Sequence, residues 1–393
     1  MRVVLFTDTL GDVNGVSRFI RTAAAHALAT GRELTVVTST RFDVPDAPNV
    51  VNVQPRRAWR MPRYEQLEIV LPRRASLFAA ADARRPTVVH VSTPGPVGIA
   101  GRAYALRHKL PLAGTYHTDF PAYIDHLLGH EPLTHLCSAG MRWFYRPFGL
   151  LFSRSADYAL RLEQLGVAHE RLERLRPGID LSSFDPGFAR ADCWRDYPGV
   201  RAGSVKVLCI GRVSVEKNLP LLTDLWPGVQ GACASRGVDA QLIVIGDGPY
   251  RPEMERRLAP GGHAVFLGFR HGAELSKLYA SCDLLCFPSR TDTLGQVVME
   301  AQASGMPVLV ADKGGPKEVV RAQAGPDGLA TGLVLPNAPG AWRDALVAMV
   351  CEHDRRRAMG RAARDFMARF TFAASFEHFW TSHARTACPA ARP

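Results

Sequence analysis

Twice along this chain a short, wholly apolar run ends in a turn-forming stretch and passes into a helix-compatible segment. The first series reads RVVLFTDTL, GDVNGVSR, RFIRTAAAHALATG and LTVVTST, then TVVHVS, IAGRAYALRHKL and PLAGTYHT. The second begins at VKVLCIG and continues through QLIVIGDG, PEMERRLA, AVFLGF, GAELSKLYASC, DLLCFPS, GQVVMEAQASG and PVLVAD. Apolar runs without polar alternation suit strands buried on both faces, and strands separated by helices build parallel βαβ units. The class is therefore α/β. The chain has 393 residues, and one hydrophobic core stops growing at roughly 250–300 residues, so each series is expected to form its own Rossmann-like domain. Between them RLRPGIDLSSFDPGFARADCWRDYPGVRAGS is broken by Pro177, Gly178, Pro186, Gly187, Pro198, Gly199 and Gly203 and reads as a linker. The expected division is residues 1–185, 200–370 and a C-terminal helical tail over 371–393.

Charged residues make up 22% of the chain and apolar ones 47%, which excludes a disordered, collagen-like or coiled-coil protein. No apolar run approaches the roughly 18 residues of a membrane span, and the opening MRVVLF meets Thr7-Asp8 too early for a secretory signal. A soluble or peripheral protein is expected. Eight cysteines without a CxxC pair, several inside strand-like runs, suit a reducing cytoplasm. The net charge of +11 is spread over both halves and favours anionic partners without choosing among them.

Ligands of open parallel sheets sit beyond the carboxyl ends of the strands, so two such domains facing each other would make a cleft. In FPSRTDTLGQVVMEAQASG a strand ends at Pro288, a polar loop holds Asp292, and Gly295 opens a helix carrying Glu300. The leading amides of Leu294, Gly295 and Gln296 would form an anion site, with a diphosphate as natural guest. Glu300 lies about one and a half turns on, placed to accept hydrogen bonds from a ribose diol. The plainer alternative makes Asp292 a helix cap and Glu300 a solvated helix residue. In IGRVSVEKN, Arg212 and Lys217 leave one strand-to-helix loop and can neutralise two phosphates, although basic loop residues are more often just solvated. Gly246 and Gly248 of IGDGP permit close backbone approach, to a nucleotide or within a tight turn.

Taken in order, the Gly15 loop, HTDF, RPGID, GRVSVEKN, IGDGP and PSRTDTLGQVVMEAQASGMPV resemble glycosyltransferase family 4 over nearly the whole chain. GTYHTDFPAYI and PRYEQLEIVLP are similar to the branch containing glucuronosyl- and sulfoquinovosyl-diacylglycerol synthases. The resemblance implies the GT-B fold, a UDP- or GDP-sugar donor, transfer with retention of configuration and no required metal or other cofactor. It also implies that the C-terminal tail crosses back onto the first domain. By the same resemblance Arg212 and Lys217 hold the donor diphosphate and Glu300 the ribose. Gly15 admits the donor phosphate, and His117 lies near the anomeric carbon. Asp292 stands where the family usually has Glu, and this departure bears on the choice of donor sugar.

The first half carries Arg56, Arg57, Arg60, Arg63, Arg73, Arg74, Arg84 and Arg85 with Trp59, Met61 and Leu71 among them. This mixture suits either an anionic membrane surface or arginine stems covering core edges. The segment LTHLCSAGMRWFYRPFGLLF is an apolar stretch with Arg142 and Arg146 that also reads as one helix bent at Pro147. A lipid or glycolipid acceptor at the cytoplasmic membrane face is the first expectation and a soluble or polysaccharide acceptor the second. An epimerase or phosphorylase on the same framework lacks identifiable extra carboxylates or a pyridoxal lysine. No zinc spacing or aromatic RNA-binding pattern supports nucleic acid.

Overall fold

A computed structural model describes every residue except 13, 62–63, 118, 120–130, 326–327 and 388–393. The chain divides into two compact units. One runs from Met1 to Arg176 and regains the chain at Ala373; the other spans Pro177–Phe372.

The first unit is built on a seven-stranded parallel sheet. Its strands are β1 (Arg2–Phe6), β2 (Glu33–Thr38), β3 (Val50–Asn52), β6 (Val88–Val91), β7 (Leu112–Tyr116), β8 (Leu150–Ser153) and β9 (Leu172–Arg174), in the order β3-β2-β1-β6-β7-β8-β9. A separate antiparallel hairpin pairs β4 (Arg57–Met61) with β5 (Tyr64–Leu71). The second unit has a six-stranded parallel sheet made of β10 (Val205–Ile210), β11 (Ala240–Ile245), β12 (Ala264–Gly268), β13 (Leu284–Phe287), β14 (Val308–Ala311) and β15 (Gly332–Leu335). Its order is β12-β11-β10-β13-β14-β15. In each sheet the order reverses direction beside the first strand, between β1 and β6 and between β10 and β13. Loops leaving the carboxyl ends of those strands diverge there, which opens a crevice for ligands.

The unbroken apolar runs are explained by covering on both faces. Val207 and Cys209 of β10 face a core containing Trp226 and Trp342, whereas Leu208 and Ile210 face another containing Tyr279 and Met299. Alternate side chains serve opposite faces, both apolar from Val207 to Ile210. Lys206, near the start of the strand, turns its ammonium back onto the carbonyls of Arg201, Ala202 and Ser204 at 2.7–2.9 Å. The described cysteines are free, four of them buried, and burial pushes the Cys209 thiol up to about 12.

Several local expectations change. The first helix spans Gly15–Ala29, with Asn14 as its cap accepting from the Ser17 amide at 2.8 Å, so Gly15 opens the helix rather than lying in a loop. The stretch after Pro177 is not a free linker: Ile179 and Phe184 are buried in the second unit's core, and Trp194 and Tyr197 pack against it. LTHLCSAGMRWFYRPFGLLF is not one bent helix but a helix, Glu131–Tyr145, followed by β8. Two further helices, Pro339–Cys351 and His353–Met367, close the second unit.

The last helix, Phe372–Ala387, packs on the first unit. Glu173 receives Ser382 Oγ, Arg385 Nη2 and a 2.7 Å contact with His378 Nε2, and Phe379 is fully buried. Two buried histidines complete the seam. His383 Nδ1 donates to the Phe379 carbonyl at 2.7 Å, so its Nε2 must accept from His90 Nδ1 at 2.9 Å. His90 Nε2 then accepts from Thr115 Oγ1 at 3.1 Å. Both rings are thereby neutral, and burial holds His383 down to about 4 and pushes His90 well below 6.5.

Candidate active site

The crevice of the second unit lies where β10 and β13 diverge. β10 ends at Ile210; Gly211, with φ of 130°, then turns the chain sharply, and Arg212 follows. A single 3-10 turn, Val215–Lys217, and the left-handed Asn218 then lead into the Leu219–Ala234 helix. Arg212 Nη1 stands 4.0 Å from Glu216 Oε1, a buried carboxylate. From the other side of the divergence the loop after β13 brings Asp292, whose two oxygens both accept from Lys217 Nζ at 2.8 Å. Asp292 is thus a partner of Lys217 and not the helix cap, which is Gly295. Arg212, Lys217 and Pro288 line a common small pocket.

The Gln296–Ala303 helix starts from Gly295 in the left-handed region, with φ 79°, and a Cβ there would press on Pro316. The amides of Val298 and Met299 bond back to the Gly295 carbonyl. Those of Leu294, Gly295 and Gln296 take no acceptor among the described residues and remain for an anion. One and a half turns on, Glu300 is only 1% exposed and accepts from Tyr279 Oη at 2.8 Å, so it is not a solvated helix residue.

The glycines of IGDGP have a reason inside the protein. A Cβ on Gly246 would lie 2.0 Å from the Gly211 carbonyl oxygen, and one on Gly248 would lie 2.5 Å from that of Val213. These glycines let the β11 loop lie directly against the loop that carries Arg212. Gly314 and Gly315 do the same for Asp292: the Gly315 amide bonds to the Asp292 carbonyl at 2.8 Å, and a Cβ on Gly315 would strike the Thr293 carbonyl. Tyr279, Glu216 and this Gly-Gly pair escaped the sequence reading. Only the KGGP turn after an apolar strand offered a signal.

In the first unit Gly15 and His117 lie at the carboxyl end of the sheet, after β1 and β7. A Cβ on Gly15 would meet nothing within 4 Å, so the backbone there is open to a close ligand. His117 is buried with its Nε2 unpartnered, its ring 6.2 Å from Phe19. Burial, then the positive charge of Arg154, pushes its imidazole well below 6.5, so it is neutral at physiological pH. Asp119 does not hold this ring: it accepts from Tyr116 Oη at 3.0 Å and lies 3.6 Å from Arg161. Thr118 is outside the described residues.

Comparison with known proteins bears directly on this arrangement. A family model described as Glycosyltransferase Family 4 matches residues 13–183, and one described as Glycosyl transferases group 1 matches residues 204–352. A GDP-mannose-dependent alpha-mannosyltransferase of Mycobacterium tuberculosis is 30% identical across 94% of this chain and 93% of its own length. The chain belongs to glycosyltransferase family 4. A sulfoquinovosyl transferase of Arabidopsis thaliana is 29% identical over 95% of this chain and 71% of that one. Among solved structures, sucrose-phosphate synthase from Thermosynechococcus elongatus superposes with a TM-score of 0.75 at 16% identity, covering 98% of this chain and 99% of that chain. Anabaena HepE in complex with UDP-glucose gives 0.74 at 18%, with coverage of 98% and 99%. These likenesses establish the GT-B fold, two parallel-sheet α/β domains. Arg212 and Lys217 follow β10, and Asp292, Leu294, Gly295, Gln296 and Glu300 follow β13, so all seven come after the two strands that diverge in the second unit's sheet.

Proposed function

We propose that this protein transfers a hexose, with retention of configuration, from a nucleoside-diphosphate sugar to a lipid or glycolipid acceptor, and that no metal ion takes part. The observation that carries the reading is the convergence at the β10/β13 divergence of two cationic side chains, a helix start with unused amides, and a buried carboxylate. Leaving-group departure builds negative charge on the diphosphate while the sugar gains oxocarbenium character. Donors aimed at the phosphates therefore lower the barrier more than they tighten the ground state. Lys217 exchanges its Asp292 contact for a phosphate oxygen, Arg212 takes a second, and the amides at 294–296 supply the rest. Asp292, released, turns to the donor sugar's hydroxyls, and Glu300 accepts from the ribose. Neutral His117 offers an imidazole hydrogen bond to a substrate held on the first unit. The names of relatives and neighbours support both UDP- and GDP-sugars as donors.

The lipid reading draws on the β4/β5 hairpin. Trp59 pairs with Ile69 and Arg57 with Leu71, so these four share one face, while Ala58 and Val70 share the other. Trp59 is 52% and Ile69 47% exposed. Arg56, Arg57 and Arg60 are exposed on this hairpin and Arg73 and Arg74 just after it, whereas Arg84 bonds to Pro48, before β3, and Arg85 to Arg2, at the start of β1; Arg63 lies outside the described residues. Exposed apolar side chains on a hairpin that also carries arginines suit the interface of an anionic bilayer. No described helix is long and apolar enough to cross a membrane.

The test is nucleotide release from a panel of UDP-, GDP- and ADP-sugars, with and without lipid extract, followed by proton NMR of the product's anomeric centre. Release stimulated by lipid with one donor supports the proposal. Equal stimulation by a soluble oligosaccharide instead favours the second acceptor class, and inverted product excludes retention.

A further inference from the structure

Three lysine or arginine side chains are buried among the described residues, and two explain themselves. Lys206 donates to three carbonyls, and Arg356 donates to the carbonyls of Met349 and Val350 at 2.9 and 2.7 Å. Arg154 is different. It is 6% exposed, its Nη1 has no hydrogen-bond partner, and no carboxylate lies in ion-pair range among the described residues. Among the described residues its one specific contact is with the face of Phe19, 4.9 Å from the guanidinium carbon to the ring centroid. Phe19 comes from the helix that Gly15 opens.

His117 stands beside it. β7 and β8 are parallel, with Tyr116 opposite Ser153, so His117 and Arg154 are the next residues out on adjacent strands. Neighbouring strands run about 4.8 Å apart. His117 Nε2 is another buried polar atom without a partner here, and Ser153 Oγ and Ser155 Oγ on either side of Arg154 are likewise unpartnered among the described residues. A cation retained only for packing would turn its donors onto carbonyls, as Arg356 does. Burying an unpaired charge is costly, whereas a buried guanidinium awaiting an oxyanion gains its partner on binding.

We propose that the carboxyl ends of β7 and β8 form an oxyanion subsite, in which Arg154 Nη1 and His117 Nε2–H hold a phosphate-like group carried by a substrate. This rests on the transferase reading and narrows it. The reaction takes an acceptor whose acidic group sits close to the accepting hydroxyl, unless the group held is a donor phosphate. Burial that leaves Arg154 protonated, at about 10, fits the charge the subsite requires.

The experiment is calorimetric titration of inorganic phosphate into a Lys217→Met background, which weakens the second unit's basic pair. Adding Arg154→Met should weaken phosphate binding about tenfold or more, the usual worth of a charge-assisted contact, and Arg154→Lys by less. In parallel, the His117 imidazole nitrogen signal, assigned with His117→Gln, should move saturably with phosphate. Unchanged phosphate affinity in the Arg154→Met background, or a His117 signal indifferent to phosphate, overturns the subsite. Titration of UDP separates the sources. Equal UDP affinity in wild type and Arg154→Met assigns the anion to the acceptor, and tenfold weaker UDP assigns it to the donor. Failure of UDP to bind at all, with phosphate binding at Arg154 intact, removes the donor reading and leaves the subsite standing.

Discussion

Acid should loosen the C-terminal helix from the first unit well before it unfolds the rest of the protein. The seam holds His383 neutral, with its proton committed to the Phe379 carbonyl and its other nitrogen to His90. Its folded value of about 4, against 6.5 when free, means that the docked helix binds fewer protons than the undocked one between these limits. The stabilisation is complete above pH 6.5 and drains as pH falls toward 4. Its full extent is about 3 kcal/mol, and at pH 5 about 2 kcal/mol has gone, roughly a thirtyfold rise in the opening equilibrium. Glu173 works the same way at lower pH, since Ser382, Arg385 and His378 outweigh its burial and hold it below the usual range. Hydrogen exchange of peptides from 373–387, corrected for intrinsic rates, reads this directly. Protection should collapse between pH 7 and 5 in wild type, and His383→Gln should flatten the profile. Wild-type protection that stays constant over that interval refutes the reasoning.

Lys217→Ala should lower turnover on the order of a hundredfold while nucleotide affinity changes far less, because its phosphate contact strengthens as the leaving group departs; steady-state kinetics with a separate UDP titration measures both. Glu300→Ala should weaken UDP binding and also cost about 1–3 kcal/mol in denaturant stability, since the Tyr279 hydroxyl loses its buried acceptor. Glu300→Gln, which restores an acceptor oxygen, should recover most of the stability but not the affinity. Gly246→Ala should yield little folded protein or a melting temperature lowered by many degrees, because its Cβ would fall 2.0 Å from the Gly211 carbonyl oxygen at a φ of 123°; ordinary expression and melting would show that the loop contact is dispensable.

The α/β class was legible because parallel strands covered on both faces leave uninterrupted apolar runs, and helices between them leave little ambiguity of order. Arg212, Lys217, Asp292 and Gly295 were legible because each sits next to a strand end, where sequence position fixes spatial position. What local sequence could not supply was partnership over distance. Nothing near Glu300 announces Tyr279, and nothing near His90 announces His383, 293 positions away. Gly246 was recognised as permitting close approach, but whether to a ligand or to Gly211 depends on how two loops stack. The segment after Pro177 looked like a connection because prolines and glycines break regular elements; its burial comes from scattered Ile179 and Phe184, which carry no period. Arg154 escaped notice for the converse reason, since an arginine after an apolar strand is ordinary until its surroundings are known.

The first unit recovers the chain only at Ala373, and Phe376, Phe379 and Trp380 of that returning helix are buried. During synthesis, then, the amino-terminal half emerges from the ribosome with one flank of its sheet uncovered, and stays so while nearly two hundred further residues are made. The inserted half can finish first, because Ile179 pairs with Phe370 and Phe372 to close its own ends. A chain cut short before Ala373 would therefore leave that flank of the first unit's sheet exposed and prone to aggregate.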